Sequence, residues 1–199
     1  KNAEGKWVDL ELMEEEFNTM EDEGTPFCSL DGKMFFFTRC RYVKGCNLGA
    51  EIYLSKRSGG QWSEPKKLEI FKDSSITVAH PALSTDGKYL YFVSDAENGV
   101  GGKDLWRCEV KGDVFGTAEN LGSQINTEGD EMFPSFDSKG NFYFSSDGHV
   151  GLGGLDIFKA ICDTSGNWVV ENMKTPINSS ADDFGITFER GQIERGFFS

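Results

Sequence analysis

Residues able to carry out acid–base or nucleophilic chemistry are few in this chain. There are two histidines, His80 and His149, and no Gly-x-Ser-x-Gly segment of the kind that holds a hydrolase serine. His80 precedes a proline, which favours a structural hydrogen bond, and His149 lies in a glycine-rich segment where exposure is expected. We therefore predict that the protein is not an enzyme. Paired carboxylates for glycoside chemistry, contributed by separate parts of the chain, stay an open alternative.

Acidic pairs stand just before three short apolar segments, at 22–23, 130–131 and 182–183. Calcium requires several converging oxygen ligands. Glu23, Glu131 and Asp182 are therefore weak calcium candidates, and no other cofactor is predicted. A solvated acidic rim predicts the same residues, and the corresponding place at 77–78 has no acid.

Two glycine-rich segments, 99–102 and 151–154, resemble phosphate-binding loops in composition. Both lead into predicted strands and not into helix N-termini, so the array of N–H groups that binds phosphate is not expected. An acidic residue follows each segment, Asp104 and Asp156, and Glu51 has the equivalent place earlier in the chain. We predict that all three acids are structural residues of the repeat, and that Asp104 and Asp156 accept hydrogen bonds from the loop backbone.

The elements that would position these residues recur about every fifty residues. Glycines recur 51 to 55 residues apart, and large aromatic residues follow the same period. Units of this size cannot bury a face alone, so neighbouring units must share a core. The glycines are Gly32, Gly87, Gly140 and Gly191, and the aromatic residues are Trp7, Trp62, Phe115 and Trp168.

Each repeat has the pattern of four short antiparallel strands. A first strand entered through Pro26, Pro81 or Pro134 is followed by a predicted two-residue turn ending at Gly32, Gly87 or Gly140. The next strand is dense in aromatic residues, as in 34–37, 89–92 and 142–144, and both of its faces are predicted to be buried. Four strands per repeat describe the blades of a β-propeller.

The fold prediction is therefore an all-β propeller with four-stranded antiparallel blades and about four repeats, three complete and two partial. We expect one domain over 1–199, with blades near 20–72, 75–125 and 128–177 and partial blades at 1–19 and 180–199. Residues 6–12 are read as an outer strand that could complete the last blade. The chain is interpreted as a segment of a larger propeller, with a closed four-bladed ring as the alternative.

The repeat also resembles a known family. The pattern Pro…Ser-x-Asp-Gly-Lys-x-x-Phe-x-Ser…Gly-Gly-x-Asp-Ile/Leu-aromatic…Trp…Asn-Leu-Gly…Ile-Asn-Thr fits best from Ser84 to Thr127 and extends across essentially the whole chain. It resembles TolB-like, WD-repeat-like propellers, and more narrowly those of OmpA-family envelope proteins of Bacteroidetes. One subgroup resembles the periplasmic PorE component of the type IX secretion system. Departures are Arg39-Cys40 where other repeats have Ser-Asp, and Gly185 in place of proline.

This resemblance implies a location and a kind of partner. Such propellers lie between tetratricopeptide repeats and a peptidoglycan-binding OmpA-like domain, neither of which is present in this sequence. The expectation is a periplasmic, outer-membrane-associated protein that binds protein partners in the cell envelope, with a peptidoglycan link through flanking domains.

Composition limits the remaining classes. The net charge of −13 makes nucleic acid an improbable partner, because phosphate binding needs clustered Lys and Arg. No apolar stretch approaches the roughly 20 residues of a membrane span. Of the five cysteines, Cys28 and Cys108 are predicted to be small buried residues, Cys40 and Cys46 could form a disulfide, and Cys162 has no evident partner.

The functional prediction is a non-catalytic interaction scaffold in an outer-membrane-associated assembly, either a type IX secretion system or an OmpA-family, peptidoglycan-linked protein. Partners are expected to contact variable loops. The alternative is a carbohydrate- or peptidoglycan-binding module, and after that a glycoside or peptide hydrolase. The candidate loop residues are Arg41, Tyr42, Lys44, His149 and Leu152.

Overall fold

The computed structural model describes residues 6, 12–13, 16–45, 48–189 and 195–199 of the 199-residue chain. These residues form strands, turns and loops, with no helix among them. The strands in this described part of the chain are β1 Asp22–Cys28, β2 Met34–Cys40, β3 Glu51–Ser58, β4 Gln61–Trp62, β5 Lys66–Lys67, β6 Val78–Leu83, β7 Tyr89–Ser94, β8 Asp104–Lys111, β9 Val114–Phe115, β10 Glu119–Asn120, β11 Glu131–Phe136, β12 Phe142–Ser146, β13 Asp156–Cys162, β14 Trp168–Asn172, β15 Thr187–Phe188 and β16 Gly196–Phe197.

The strands form three antiparallel sheets and one short hairpin. The first sheet contains β1–β5, the second β6–β10 and the third β11–β14, each paired in chain order, and β15 pairs with β16. In the first two sheets the fourth strand is split into two short pieces that pair with one long third strand. The first strands β1, β6, β11 and β15 lie next to one another in sequence order, so the sheets are arranged around one axis. This is the predicted β-propeller, and the fold prediction is confirmed.

The second strand of each blade shows why the sheets stack. Successive side chains of a strand point to opposite faces. Leu90 and Phe92 of β7 therefore pack in the core shared with the first blade, whereas Tyr91 and Val93 pack in the core shared with the third. A third core between the third blade and the last hairpin contains Tyr143, Ile157 and Ile186.

Neighbouring blades are also joined through their backbones. Val78, Glu131 and Asp183 each donate an N–H to the carbonyl of the residue before the preceding blade's third strand, at 2.6–2.8 Å. The buried Asn126 side chain adds a second link, because its amide accepts the N–H of Leu105 at 2.8 Å and donates to the Leu105 carbonyl at 3.0 Å. Asn178 makes the same pair of bonds with Ile157.

The prolines lie inside the first strands and not at their starts, so the prediction that each strand is entered through its proline is wrong. Each pairing register shifts at the proline, between Gly24 and Phe27 in the first blade and at the equivalent places in the others. The residue before each proline has a positive φ, of 44° to 55°. This local irregularity is a β-bulge, where a missing N–H breaks no regular ladder bond.

The turns between the first and second strands contain five residues, so the predicted two-residue turns are also wrong. Side chains within the turn accept hydrogen bonds from backbone N–H groups that would pair with backbone carbonyls in a tighter hairpin. Asp31 accepts from the Lys33 N–H at 3.0 Å, and Ser29 Oγ accepts from the Met34 N–H at 2.9 Å. Gly32, Gly87 and Gly140 have φ of 70°, 71° and 82°, a left-handed conformation that favours glycine.

The predicted blades 20–72, 75–125 and 128–177 contain β1–β5, β6–β10 and β11–β14. Of the predicted outer strand at 6–12, residues 7–11 lie outside the described part of the chain, as do Gly191 and Cys46. Cys40 is a free cysteine, so the predicted Cys40–Cys46 disulfide is wrong. Cys108 is buried, and burial raises the pKa of its thiol to about 12. Cys28 is exposed, contrary to prediction, because it lies on the exposed side of β1.

Candidate functional site

One end of the propeller gathers the loops that the sequence singled out. In an antiparallel sheet, successive connections alternate between its two ends, so the loops from second to third strand lie at the same end as the connections between blades. Backbone hydrogen bonds confirm this: Gly49 N–H donates to the Ser74 carbonyl and Gly102 N–H to the Gly129 carbonyl, both at 3.0 Å. We call this end the loop face; its described residues are 16–21, 41–45, 48–50, 68–77, 95–103, 121–130, 147–155 and 173–182.

Two buried carboxylates build the loops of the second and third blades. Asp104 accepts hydrogen bonds from the backbone N–H groups of Val100 and Gly101 and from the Asn120 side chain at 3.0 Å. Asp156 accepts from the equivalent backbone groups, those of Leu152 and Gly153. The glycine-rich loops therefore turn their N–H groups inward to a protein carboxylate, and these groups are not directed at a phosphate.

The first blade holds its loop differently. Glu51 replaces aspartate, and its longer side chain pairs with the Arg41 guanidinium at 2.8 and 2.9 Å and with Lys67 Nζ at 2.7 Å. Burial of Glu51 disfavours its charged form, but the hydrogen bonds from Arg41 and Lys67 outweigh burial and lower its pKa. Arg41, a predicted interaction residue, is therefore engaged within its own blade.

The tips of the three loops are apolar and exposed. Tyr42 is 87 % exposed, Val100 40 %, Val150 94 % and Leu152 52 %. Lys44 is exposed beside Tyr42. Because the backbone N–H groups face the buried carboxylates, the side chains at the tips project into solvent. Tyr42, Lys44 and Leu152 are therefore accessible, as predicted.

His149 has a different place from the one expected. It is half-buried, its Nε2 lies 2.8 Å from the Ile125 carbonyl oxygen, and its ring packs against Phe144 and Phe158 at centroid distances of 5.7 and 5.1 Å. The imidazole thus fastens the third-blade loop to the preceding connection.

The three calcium candidates are used in separate local networks. Glu131 is fully buried and accepts from Thr127 N–H at 2.7 Å and from Ser146 Oγ at 2.6 Å. Glu23 accepts from Arg39 Nε at 2.9 Å, and Asp182 accepts from the Leu155 N–H at 2.9 Å. Among the described residues there is no group of three or more His, Cys, Asp or Glu side chains that could hold a metal ion.

The propeller axis contains a second feature, an apolar groove of 430 Å³. Rings from three blades stack along it: His80 on Phe133 at 4.1 Å, and Phe133 on Phe184 at 5.1 Å. Pro26, Phe197 and other residues of the first strands and the last hairpin complete the lining.

His80 links the blades at this groove. The ring nitrogen Nδ1 of His80 accepts the backbone N–H of Phe133 at 3.2 Å, and the backbone N–H of His80 donates to Thr38 Oγ1 at 3.0 Å. Burial, with a smaller contribution from the Lys103 charge, lowers the pKa of His80 to about 4. At neutral pH the imidazole is therefore uncharged and structural, the role its sequence position favoured. The sequence did not predict this ring stack, because the residue at this position of the repeat differs from blade to blade. The signal that could have predicted it is that His80, Phe133 and Phe184 occupy the same position in successive repeats.

Comparison with known proteins supports the β-propeller fold and does not assign a function. No protein-family model and no curated protein matches this chain. Among solved structures, it is similar to TolB from Acinetobacter baumannii, with TM-score 0.51 and 14% identity over 85% of this chain and 36% of that one. A Mycobacterium tuberculosis puromycin-hydrolyzing peptidase matches with TM-score 0.56 and 14% identity, over 83% of this chain and 23% of that one.

An α-L-arabinofuranosidase from Lactobacillus brevis also matches, with TM-score 0.52 and 13% identity, over 84% of this chain and 61% of that one. The chain therefore spans less than two thirds of each of these structures. The fold is a TolB-like β-propeller, shared with enzymes and with TolB. In the described part of the chain, no helix is long and apolar enough to cross a membrane.

Proposed function

We propose that the protein is a non-catalytic interaction scaffold of the bacterial cell envelope, periplasmic and associated with the outer membrane. The observation that carries this proposal is the loop face, where repeated loops of fixed shape expose apolar tips. Exposed apolar side chains gathered at one end of a molecule are a common mark of protein interaction sites. The sequence resemblance to OmpA-family propellers supports the envelope location and favours an assembly such as the type IX secretion system, whose PorE component one subgroup resembles, or a peptidoglycan-linked protein.

The absence of catalysis is part of the proposal and has its own support. The two histidines, which are the usual general bases near neutral pH, are both engaged in structural contacts, His80 with Phe133 and His149 with Ile125. Incubation with aryl glycosides and aminoacyl arylamides tests this directly. We expect no turnover above buffer, and steady turnover would favour the hydrolase alternative.

A second candidate function, a carbohydrate- or peptidoglycan-binding module, is favoured by the aromatic lining of the axial groove. Titration with soluble peptidoglycan fragments tests it, with Phe198→Ala as the groove variant because Phe198 is an exposed part of the lining. Binding that Phe198→Ala weakens would support this second function.

The scaffold proposal is tested by affinity capture. The 199-residue chain is immobilised beside an acidic protein of unrelated fold and incubated with detergent-solubilised envelope of the source bacterium. We expect a discrete set of envelope proteins to be enriched on the chain. Equal recovery on both supports would overturn the proposal.

A further inference from the structure

We propose that the loop face docks a protein segment that presents an apolar patch bordered by lysine and arginine side chains. The inference rests on the proposed scaffold function and adds the location of the contact and the chemistry of the partner.

Exposed large apolar side chains are unequally distributed between the two ends of the blades. The turns at the opposite end, 29–33, 59–60, 84–88, 112–113, 137–141 and 163–167, contain one of them, Leu30, with Val114 next to a turn. The described loop face has six, contributed by all three blades: Met20, Tyr42, Val43, Val100, Val150 and Leu152. Because the blades repeat around an axis, the tips of their loops together form a discontinuous apolar surface on the loop face.

The tips are held in place before any partner arrives. Asp104 and Asp156 are each buried and fix the backbone of their loops through N–H groups three and four residues earlier. Arg41 is held next to Tyr42 by its ion pair with Glu51. Loops that are already ordered lose little conformational entropy on binding, so their apolar contact area contributes more of its free energy to affinity.

Charge around the tips indicates the partner. The loop-face segments contain ten acidic and five basic residues in 62 positions, and the opposite turns contain five and three in 24, so both ends are acidic in similar proportion. Two of the five loop-face cations are already paired: Arg41 with Glu51 and Lys103 with Asp130, the latter at 2.7 Å. The exposed acids Asp95, Glu97 and Glu128 lie in the same loops and connections as the apolar tips. A complementary surface is apolar at its centre and basic at its rim.

The same charge argues against a membrane as the occupant. Anionic lipid headgroups attract basic segments and repel acidic ones, so apolar tips set among carboxylates are poorly placed for insertion into an anionic bilayer. A protein segment with basic residues satisfies both the apolar tips and the surrounding charge.

The test uses synthetic peptides as probes for the whole 199-residue chain. One fluorescein-labelled peptide has a central run of Leu and Val flanked by Lys; a second has the same centre flanked by Glu. Fluorescence anisotropy gives the affinity of each peptide for three proteins. These are the unmodified chain, the loop-face variant Val150→Ser/Leu152→Ser, and the control Val114→Ser/Val169→Ser, whose residues are 66 % and 52 % exposed away from the loop face.

We expect the Lys-flanked peptide to bind the unmodified chain and the control equally, and to bind the loop-face variant about tenfold more weakly, since exposed apolar contacts of this size typically contribute that much. Binding should weaken as salt rises, and the Glu-flanked peptide should not bind. Equal loss in both variants, or equal binding of both peptides, would overturn the inference. Sedimentation with phosphatidylcholine or phosphatidylglycerol vesicles that depends on Val150 and Leu152 would also overturn it, in favour of a membrane.

Affinity capture with the unmodified chain and with the loop-face variant distinguishes a failure of this inference from a failure of the scaffold proposal. If envelope proteins captured by the chain are captured equally by Val150→Ser/Leu152→Ser, the scaffold proposal stands and the loop-face assignment is wrong. If no envelope protein is captured, the scaffold proposal itself fails.

Discussion

Single buried carboxylates determine the shape of the candidate interaction surface. Asp104 has little contact with solvent and is surrounded by donors, so its charge is compensated by backbone N–H groups and an asparagine amide. Replacing one partner of a buried hydrogen-bond network leaves the other groups unsatisfied, which costs more than the mean value of one hydrogen bond.

We predict that Asp104→Ala lowers the free energy of unfolding by about 2 to 4 kcal/mol. Urea unfolding followed by tryptophan fluorescence measures the change. The matched control is Asp86→Ala, an exposed aspartate that accepts from Ser84 Oγ at 2.7 Å and from the Lys88 N–H at 3.1 Å. Asp86→Ala should lower the free energy of unfolding by no more than about 1 kcal/mol. Equal losses in the two variants would contradict the structural role assigned to Asp104.

His80 predicts a pH dependence of stability. Its pKa is about 4 in the folded protein and about 6.5 in the unfolded chain, so the unfolded chain binds this proton first as pH falls. The contribution of the neutral imidazole is fully present above pH 6.5 and is lost as pH falls towards 4. The loss is on the order of 3 kcal/mol.

The measurement compares urea unfolding of the unmodified chain and His80→Asn at pH 7.5 and pH 4.5. Asparagine tolerates the positive φ at this position and does not titrate. We expect the unmodified chain to lose more stability than the variant between these pH values. The same loss in both proteins would show that His80 does not titrate as its surroundings require.

At the scale of elements, blades are joined where their backbones nearly touch. A Cβ at Gly101 would lie 2.1 Å from the Thr127 carbonyl oxygen, and one at Gly49 would lie 2.4 Å from the Ile76 backbone. Close packing leaves no room for a methyl group at such a seam. These glycines therefore keep the loop face compact, with each loop resting on the next inter-blade connection.

Gly101→Ala is accordingly expected to separate the second and third blades locally and to lower the thermal midpoint by several degrees. Gly24→Ala is the control, because a Cβ there meets nothing within 4 Å and the φ of Gly24 is not positive. Differential scanning calorimetry measures both variants. A Gly101→Ala midpoint within a degree of the control would contradict the description of the seam.

A side-chain link at the same seam gives an independent prediction. Asn126 pairs with both backbone groups of Leu105, so Asn126→Ala should cost about 2 to 3 kcal/mol by leaving buried groups unpaired. Amide hydrogen exchange at Leu105 should accelerate in this variant. Ser123→Ala, at a nearby exposed residue, should leave that amide protected.

The elements also show what sequence reasoning can and cannot reach. The dense run of aromatic and apolar residues at 89–92 predicted a strand buried on both faces, and alternate side chains of β7 do pack in two different cores. The bulge at His80-Pro81 was not predicted, since a proline near a strand indicates either its start or an irregularity within it. The turn before Tyr89 was predicted too short because Ser84 and Asp86 replace ladder hydrogen bonds through side-chain contacts.

For the whole molecule, the repeat period predicted the propeller. Asp104 and Asp156 accept hydrogen bonds from their loop backbones, whereas Glu51 pairs with the side chains of Arg41 and Lys67. Arg41 was expected to be available for binding, yet the substitution of Glu51 for aspartate brings it into an ion pair. The axial ring stack is formed by residues of successive blades. It can therefore be recognised only once the order of the blades around the axis is known.

We propose that one end of this propeller, the loop face, is the contact surface for a protein partner. Site-specific photocrosslinking tests it most directly, with a photoreactive phenylalanine analogue placed at Leu152 or Tyr42 on the loop face and at Val114 or Val169 elsewhere, in chains incubated with solubilised envelope. We predict crosslinked protein adducts of defined mass from the first two positions and none from the others. Adducts from Val114 or Val169, with none from Leu152 or Tyr42, would contradict the claim.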